Sequence, residues 1–496
     1  MSTPEALVDL AGLGITPDAV DIPRNRRIYV HRNTRMQDVH LVGFDMDYTI
    51  AIYRQAEMEK LSIQLTLAKM VEKRGYPEAI LGLDYSPEWG IRGLVVDQPH
   101  GNIFKMDRHG HVGRAFHGRR PLTREERQTL YRKERIRLST PRYAWIDTLF
   151  ALPEAVMYSA LVDFLDPRGP LDYQKLWRDV RECIDEAHRD DSLKSVIKAD
   201  LGRFLIFDPA LAGTLHKLRS AGKKLFMLTN SLWDYTDAVM RHLLDGQLAA
   251  YASWRSYFDI VIVGGAKPAF FTEKRVFEEL DDRGESMGQI TPGRGGLHRG
   301  HIYQGGNLAD FEAMAGFAGE NVLYIGDHIY GDILRAKKHS VWRTAMIVQE
   351  LEDEIALSER FRDRLEALDE LDRRRRNLDA EVDYQQHVLK SLQRLAEDGH
   401  ATPAVESSKR AAKQILDELR ASLREVSEKY DAIEAECDVS YNPHWGPLFK
   451  EGNENSRFGE QVEDYACLYT SRVSNFGQYS PLRYFRAPRD KMPHEV

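Results

Sequence analysis

Four short apolar runs recur along the chain, and each ends abruptly in polar or glycine residues. The runs are VHLVGFD at 39–45, KLFMLTN at 224–230, FDIVIVGG at 258–265 and NVLYIGD at 321–327. Such uniformly apolar runs are typical of parallel strands that are buried on both faces. Helical patterns lie between them, for example at 209–222 and 233–244. The pattern therefore predicts a doubly wound α/β core whose ligand site lies at the carboxyl ends of the strands.

A long insertion separates the first two runs. Residues 54–223 far exceed the roughly one dozen residues that a simple crossover between parallel strands needs. Within the insertion, residues 145–166 and 176–201 carry apolar side chains at intervals of three and four, which predicts helices. We therefore predict a large, mainly helical cap inserted after the first run.

The composition changes after Val348, where the chain becomes densely charged. Apolar stripes at 365–392 and 415–433 flank a break, EDGHATPA, that contains a glycine and a proline. This pattern predicts an antiparallel helical hairpin. The four arginines at 373–376 are either a solvated helix face or an anion site, and the surrounding charge density favours the solvated face.

These patterns set the predicted domain boundaries. They are a discontinuous catalytic core at 30–54 and 205–350, a cap at 55–204, a helical hairpin at 351–437, and an aromatic, irregular segment at 438–496 that packs on the core.

Charge and cysteine content narrow the class of protein. The 69 basic and 77 acidic residues give a formal net charge of −8, so no global basic field attracts nucleic acid or anionic lipid. The three cysteines have no CxxC spacing, which argues against a disulfide framework and a zinc site. We see neither a basic leader followed by an apolar run nor a run of about 18 uncharged apolar residues. We therefore expect a cytoplasmic protein with neither a nucleic acid nor a membrane partner.

Two carboxylates follow the first apolar run. Asp45 and Asp47 flank a single residue, and Thr49 comes next. Carboxylates this close do not ionise independently, so one can remain an anionic nucleophile while the other keeps a proton to transfer. The alternative is an ordinary strand-end cap and turn, and the two aspartates alone leave both interpretations open.

Polar residues after the other three runs favour phosphate chemistry. Thr229 and Asn230 offer a hydroxyl, an amide and backbone N–H groups at the start of a helix, although a plain helix cap is the alternative. Lys267 follows a glycine turn, where a lysine is otherwise simply solvated. Asp327 and Asp332 supply the hard oxygen ligands that suit Mg²⁺.

The order of these motifs resembles the haloacid dehalogenase (HAD) superfamily of aspartate-nucleophile phosphatases: DxDxT, then Ser or Thr, then Lys, then GDxxxGD. That resemblance implies a HAD-like fold and a role for each residue. The implied roles are nucleophile for Asp45, general acid/base for Asp47, phosphate binding for Thr229 and Lys267 with Asn230 beside them, Mg²⁺ ligation for Asp45, Asp327 and the backbone carbonyl of Asp47, and a supporting acidic role for Asp332.

The sequence around these motifs points to a narrower family. The stretches GFDMDYTIAIY, LTNSLWDYT, YIGDHIYGDILRAKK, DTLFALPE, LVDFL and YFRAPRDKMPHE resemble the cytosolic purine 5′-nucleotidase family, which hydrolyses IMP and GMP type monophosphates. The resemblance implies that cap residues contact the base and ribose, namely Phe150, Arg181, Asp185, His188 and Lys194. Three of them recur on one predicted helix face; the alternative is a surface ion pair beside a core phenylalanine.

The resulting expectation is a Mg²⁺-dependent purine 5′-nucleotidase that works through an aspartyl phosphate and also transfers phosphate to nucleosides. By resemblance it forms a homo-oligomer, a dimer or a tetramer. Two alternatives remain open at this point: a phosphatase for another small phosphomonoester, and a scaffold protein with a vestigial site.

Overall fold

The computed structural model describes residues 22–133, 136–293, 295–334, 336, 338 and 340–495. The sequence-based expectation about a leader concerns residues that lie outside these ranges. The described chain falls into two compact units, one built from residues up to Glu352 and from Leu448 onward, the other from Asp353–Pro447. No helix among the described residues has the length and apolar character needed to cross a bilayer.

The strands of the described chain are short. In chain order they are β1 (Tyr29–Val30), β2 (Thr34–Arg35), β3 (Leu41–Phe44), β4 (Ile52–Tyr53), β5 (Leu94–Asp97), β6 (Asn102–Met106), β7 (Val112–His117), β8 (Arg120–Pro121), β9 (Tyr143–Ile146), β10 (Leu205–Ile206), β11 (Lys224–Leu228), β12 (Ile260–Val263), β13 (Phe277–Leu280), β14 (Ser286–Ile290), β15 (Ile302–Gly305), β16 (Val322–Gly326), β17 (Arg343–Ile347), β18 (Lys450–Glu451), β19 (Glu454–Asn455), β20 (Leu468–Thr470) and β21 (Tyr484–Phe485).

The helices vary more in length. They are α1 (Gln55–Arg74), α2 (Arg124–Tyr131), α3 (Leu152–Leu165), α4 (Tyr173–Arg189), α5 (Ser192–Ala199), α6 (Leu201–Phe204), α7 (Leu211–Ser220), α8 (Trp233–Leu244), α9 (Ala269–Thr272), α10 (Leu308–Ala315), α11 (Leu351–Arg360), α12 (Arg362–Leu395), α13 (Pro403–Tyr441) and α14 (Arg457–Tyr465). Two π-helical turns, Ile329–Leu334 and Ala396–His400, follow β16 and α12.

A ten-stranded sheet forms the centre of the larger unit, in the order β1-β20-β17-β16-β3-β11-β12-β15-β13-β14. The strands from β20 to β15 run parallel, and β1, β13 and β14 extend the two edges antiparallel. The four apolar runs of the sequence become β3, β11, β12 and β16, which are neighbours in this sheet. The predicted α/β class is therefore confirmed.

The cap contains more than the predicted helices. Helices α3 and α4 form where the periodicity predicts helices, and they contact each other and α1, a helix that we did not predict. Strands β8-β7-β6-β5-β9 form a five-stranded antiparallel sheet that we also did not predict. These strands bury polar side chains that obscure the alternation: Lys105 is paired with Glu451 at 3.2 Å, and Asp97 with Arg142 at 2.8 Å. In the sequence, charged residues suggest exposed positions. Here the charges are paired, and the pairing allows these positions to be buried.

Two short antiparallel strands connect the cap to the core. The chain enters the cap through β4 and returns through β10, where Tyr53 pairs with Leu205 and Ile52 with Ile206. The N–H of Arg54 donates to the carbonyl of Phe204 at 2.7 Å. The two crossings between core and cap thus lie side by side.

The C-terminal part of the chain enters both units. Helices α12 and α13 pack against each other as the predicted hairpin, with Val382, Leu416, Val426 and Tyr430 buried. Beyond it, the irregular tail contributes β20 to the central sheet between β1 and β17.

Candidate active site

The predicted catalytic residues meet at one edge of the central sheet. Asp45 follows β3, Asp327 follows β16, and Asp332 lies in the π-helical turn after β16. Ligand atoms of these three buried carboxylates all lie within 4.8 Å of one another. The carboxyl ends of adjacent parallel strands share one edge, so the strand order alone accounts for the cluster.

Lys267 joins two of these carboxylates. Its Nζ lies 2.8 Å from Asp45 Oδ1 and 2.7 Å from Asp332 Oδ1, and it donates to the hydroxyl of Tyr324 at 3.0 Å. Asp45 Oδ1 also accepts the N–H of Met46 at 2.7 Å. Among the described residues, no hydrogen bond reaches Asp45 Oδ2, whereas Oδ1 has two partners.

The cluster carries more negative than positive charge. Burial raises the pKa of Asp45 well above its ordinary value, and Lys267 opposes this. Burial and then Asp332 raise the pKa of Asp327 to about 8, against the opposing effects of Arg92 and Lys267. Three carboxylates around one lysine are unfavourable without a further cation.

The residues present fit a divalent metal ion. Asp327 Oδ2 is buried and has no hydrogen-bond partner among the described residues. Asp332 has both oxygens engaged, Oδ1 by Lys267 and Oδ2 by the N–H of His328 at 3.3 Å. Hard carboxylate oxygens suit Mg²⁺, which uses few protein ligands. Asp45 and Asp327 are thus available to hold the ion, and Asp332 instead holds Lys267.

Asp47 lies in a hydrogen-bond network that we did not predict. The hydroxyl of Tyr53 donates to Asp47 Oδ1 at 2.6 Å, and that of Ser231 donates to Oδ2 at 2.8 Å. Tyr235 reaches the hydroxyl of Tyr53 at 2.9 Å. Burial and then Asp47 raise the pKa of Tyr53 well above its ordinary value, so the phenol stays protonated. Two donors therefore fix the orientation of the carboxylate.

The residues after β11 form hydrogen bonds that position the neighbouring loops of the site. Thr229 is buried, and its hydroxyl accepts the N–H of Ser231 at 3.1 Å. The side chain of Asn230 bonds twice to the backbone of Lys267, donating to its carbonyl at 2.9 Å and accepting its N–H at 2.5 Å. Asn230 therefore positions the Lys267 loop with its carbonyl oxygen and one of its two amide hydrogens, and its contact with a phosphate stays a prediction.

Phe150, the aromatic residue predicted in the cap, lies beside the loop that follows Asp47. Phe150 lies edge-on to Tyr48 with ring centroids 4.6 Å apart, and edge-on to His188 at 5.9 Å. Tyr48 directly follows Asp47 in the sequence and has a left-handed backbone (φ 55°). This conformation is strained for a residue with a side chain. The Tyr48 ring is nevertheless buried against Phe150 of the cap.

Of the other predicted cap residues, His188 contacts Phe150, and the remaining three have partners elsewhere. Arg181 pairs with the buried Glu154, which we did not predict, and only weakly with Asp185 at 3.5 Å. The ammonium of Lys194 lies 5.2 Å from the ring centre of Tyr235.

The pKa of His188 depends on its burial and on its charged neighbours in this group. Burial and then Lys194 lower its pKa, while Asp185 and Asp47 oppose the change. Its imidazole is therefore neutral at physiological pH and can donate and accept hydrogen bonds.

Sequence signals for the missed residues were present but weak. Tyr53 closes the YTIAIY stretch and Ser231 follows Asn230, so both are polar groups at strand ends. Their pairing with Asp47 depends on the order of the strands, because β3 and β11 are neighbours only in the folded sheet.

Known proteins match most of this chain. Residues 28–496 match the sequence profile described as the 5′ nucleotidase family. A 5′-nucleotidase domain-containing protein of Dictyostelium discoideum is 28% identical over 481 residues, covering 94% of this chain and 74% of that protein. Human 5′-nucleotidase domain-containing protein 2 is 32% identical over 357 residues, covering 69% of this chain and 66% of the human protein. A HAD-hydrolase of Bacillus subtilis, solved with magnesium, is 14% identical with a TM-score of 0.23; 62% of this chain and 86% of that chain are covered.

Proposed function

The chain belongs to the 5′ nucleotidase family, and from that premise we propose that it is a Mg²⁺-dependent hydrolase of purine nucleoside 5′-monophosphates of the IMP and GMP type. One observation carries the proposal. The free oxygen of Asp45, the ammonium of Lys267 and the held carboxylate of Asp47 meet at the sheet edge that faces the Phe150 ring of the cap.

Phosphoryl transfer begins at Asp45 in this proposal. Its Oδ2 attacks the phosphorus, the bond from phosphorus to O5′ breaks, and an aspartyl phosphate forms. Lys267 balances charge on the transferred group, because its Nζ already lies beside the nucleophile. Mg²⁺ held by Asp45, Asp327 and the backbone carbonyl of Asp47 would add positive charge at the same oxygens when bound.

Asp47 moves the protons. It gives a proton to the leaving O5′, and as a carboxylate it then accepts one from the water that hydrolyses the aspartyl phosphate. The Ser231 hydroxyl can donate or accept, so it can hold Asp47 in both protonation states. The protons balance over the cycle, and a nucleoside hydroxyl in place of water would give phosphotransferase activity.

The cap residues support a purine as the base. Phe150 offers a ring for stacking, and His188 and Arg181 add polar groups at the helix face beside it. A neutral imidazole and a guanidinium can read the edge of a six-oxo purine. Three buried, free thiols fit a reducing cytoplasm.

A substrate panel tests the proposal. We expect phosphate release from IMP and GMP with Mg²⁺ to exceed release from AMP, UMP and sugar phosphates by about tenfold in kcat/KM, because the proposed cap contacts favour a six-oxo purine. Faster release from a sugar phosphate would contradict the nucleotidase assignment and favour another phosphomonoester.

A variant of the nucleophile provides the control. Asp45→Asn should lose activity by at least about 10⁴-fold while it still binds IMP, since the amide cannot attack phosphorus. Asp282→Asn, at an exposed position, should retain full activity. Absence of phosphate release from every monophosphate by wild-type protein would instead favour a scaffold role.

A further inference from the structure

Three contacts at regular spacing join α3 and the turn before it to α4. They are an edge-on ring pair of Phe150 and His188 with centroids 5.9 Å apart, an ion pair of Glu154 and Arg181, and an edge-on ring pair of Tyr158 and Trp177 at 5.3 Å. The residues are four apart on the first side and seven and four apart on the second, so each set lies on one helix face. The ion pair therefore lies between the aromatic contact at the candidate site and a buried aromatic contact inside the cap.

Glu154 is incompletely satisfied for a buried carboxylate. It is 4% exposed, and its Oε1 pairs with Arg181. Its Oε2 is also buried and has no hydrogen-bond partner among the described residues. An unpaired buried oxygen costs free energy, and a buried ion pair is often no more stabilising than apolar side chains of the same volume. Packing alone therefore does not account for a charge at this position.

Arg181 is held at one nitrogen and keeps other donors free. Its Nη1 pairs with Glu154, and its Nη2 reaches Asp185 only at 3.5 Å. Its Nε forms no hydrogen bond within the part of the chain that the structure describes, and its side chain is 41% exposed. The guanidinium is planar, so a partner that fixes one of its nitrogens also orients the others. Glu154 thus orients donors that remain available to a ligand.

Asp185 does not provide the same orientation. It is exposed on α4 itself, four residues after Arg181. An exposed ion pair at this spacing on one helix holds its partners only weakly. Glu154, by contrast, is buried and reaches Arg181 from a different helix. Among the described residues, Glu154 is therefore the acid that fixes the guanidinium.

We propose that Glu154 is a positioning residue that sets a preference for six-oxo over six-amino purines by orienting Arg181. This inference rests on the proposed nucleotidase function. The O6 atom of IMP or GMP accepts a hydrogen bond, whereas AMP carries an amino donor at the same place. Arginine only donates, so an oriented Arg181 favours the six-oxo base. Without Glu154 the guanidinium turns more freely, and the two kinds of base are distinguished less well.

Steady-state kinetics of Glu154→Gln on IMP and AMP test the proposal. Burial raises the pKa of Glu154 to about 7, against the opposing effect of Arg181, so measurements at pH 8 keep the wild-type carboxyl largely ionised. We expect KM for IMP to rise about tenfold with kcat within about twofold, because the change affects the base and not the phosphorus. Both parameters for AMP should stay within about twofold of wild type.

Asp179→Asn is the matched control. Asp179 is also a buried carboxylate of α4 with a basic partner, since it lies 2.6 Å from the ammonium of Lys175. It also accepts the hydroxyl of Tyr76 at 2.9 Å, and it pairs with no residue that we predict to contact the base. This variant should keep the IMP to AMP ratio of kcat/KM within about twofold of wild type, even where its melting temperature falls.

A double-mutant cycle separates a role through Arg181 from a role of Glu154 on its own. Arg181→Met should lose the IMP preference, and E154Q/R181M should show no further loss beyond about twofold. If Glu154→Gln does not fold, Glu154→Asp serves in its place, because its shorter side chain keeps the charge but cannot hold the guanidinium in the same position.

Three results would overturn the inference. They are an unchanged IMP preference in Glu154→Gln, an equal loss of activity on IMP and AMP, and an effect of Glu154→Gln that persists in the Arg181→Met background. Wild-type protein that releases no phosphate from IMP would instead contradict the proposed function. Calorimetric binding of IMP and AMP to D45N and D45N/E154Q would then decide the inference by the same ratio, and binding of neither nucleotide would overturn both.

Discussion

Hydroxyl groups of Tyr53 and Ser231 hold the carboxylate of Asp47, the proposed acid/base, and removal of the Tyr53 hydroxyl should lower turnover. In Tyr53→Phe, Asp47 Oδ1 loses its donor, so we expect kcat to fall about 10- to 100-fold with KM within about threefold. Tyr235→Phe, which touches Asp47 only through Tyr53, should lose less. Tyr85→Phe, in the cap, should match wild type. Steady-state kinetics on IMP measure all three, and a Tyr53→Phe enzyme with unchanged kcat would rule out a positioning role.

The unpartnered oxygen of Asp327 predicts a metal-dependent stability. Mg²⁺ should raise the melting temperature of wild-type protein, because it offsets the repulsion among the buried carboxylates. Asp327→Asn should remove both this shift and the phosphatase activity. Chelator should return wild-type protein to its metal-free melting temperature. A Mg²⁺ shift that persists in Asp327→Asn would place the ion elsewhere.

Glu59 is a buried carboxyl of the cap that the proposed reaction does not use. It is 1% exposed, and burial raises its pKa from 4.5 to about 7. Because the pKa of Glu59 is higher in the folded than in the unfolded protein, this group stabilises the fold at pH values below its unfolded pKa. That stabilisation is lost as pH rises through about 7. Glu59→Gln should thus be more stable than wild type by about 2 kcal/mol at pH 8, with a difference near zero at pH 4.5.

Urea unfolding at the two pH values measures this difference. The matched change Glu72→Gln, at an exposed position of the same helix, should show no comparable dependence on pH. A stability gain for Glu59→Gln that is the same at both pH values would contradict the assignment to Glu59 ionisation.

The sequence predicted the residues that follow strands better than the residues that hold them. Asp45, Lys267 and Asp327 could be predicted because each follows its own apolar run. Ser231 and Glu154 could not, because their partners Asp47 and Arg181 are distant in the sequence and meet only after folding. A pattern along the chain contains no information on such pairs until the order of the strands is known.

Strand β3 depends on a glycine at its centre. A Cβ at Gly43 would lie 2.0 Å from Cζ of Phe226 on the neighbouring strand, in a fully buried part of the core. Gly43→Ala should therefore destabilise the protein by about 3 kcal/mol. Gly213→Ala is the matched control, since nothing lies within 4 Å of the added carbon in α7, and it should be neutral or stabilising by up to about 1 kcal/mol. Denaturant unfolding of both variants decides, and a neutral Gly43→Ala would mean that the Phe226 ring moves aside freely.

The central sheet and the cap sheet differ in how they could be predicted. Strands β3 and β16 are apolar on both faces, because helices and neighbouring strands cover them. In β6, by contrast, all five residues are buried although Asn102 and Lys105 are polar. Their partners come from β7 and from the tail near Glu451. Such strands become recognisable only when those partners are in place.

Arg92 ties the cap to the catalytic edge of the core. Its side chain is fully buried, bonds to both oxygens of Glu350 at 2.8 and 2.6 Å, and donates to the carbonyl of Asp327 at 3.0 Å. Arg92→Met should cost about 3 kcal/mol, because it leaves Glu350 unpaired and frees the backbone of Asp327. It should also lower phosphate release. Arg178→Met, on the exposed face of α4, is the control for both the free energy of unfolding and phosphate release. Equal stability of the two variants would contradict the role of Arg92 in joining cap and core.

The paired strands β4 and β10 have a consequence for the timing of catalysis. Because both crossings of the chain between core and cap lie there, a rotation of the cap would move these two strands, and Tyr53 lies in one of them. A rotation that widened the entrance would carry its hydroxyl away from Asp47, 2.6 Å distant in the enclosed arrangement. In the proposed reaction, Asp47 would then lose its alignment whenever bulk water entered, and the proposed aspartyl phosphate would persist until an acceptor was enclosed.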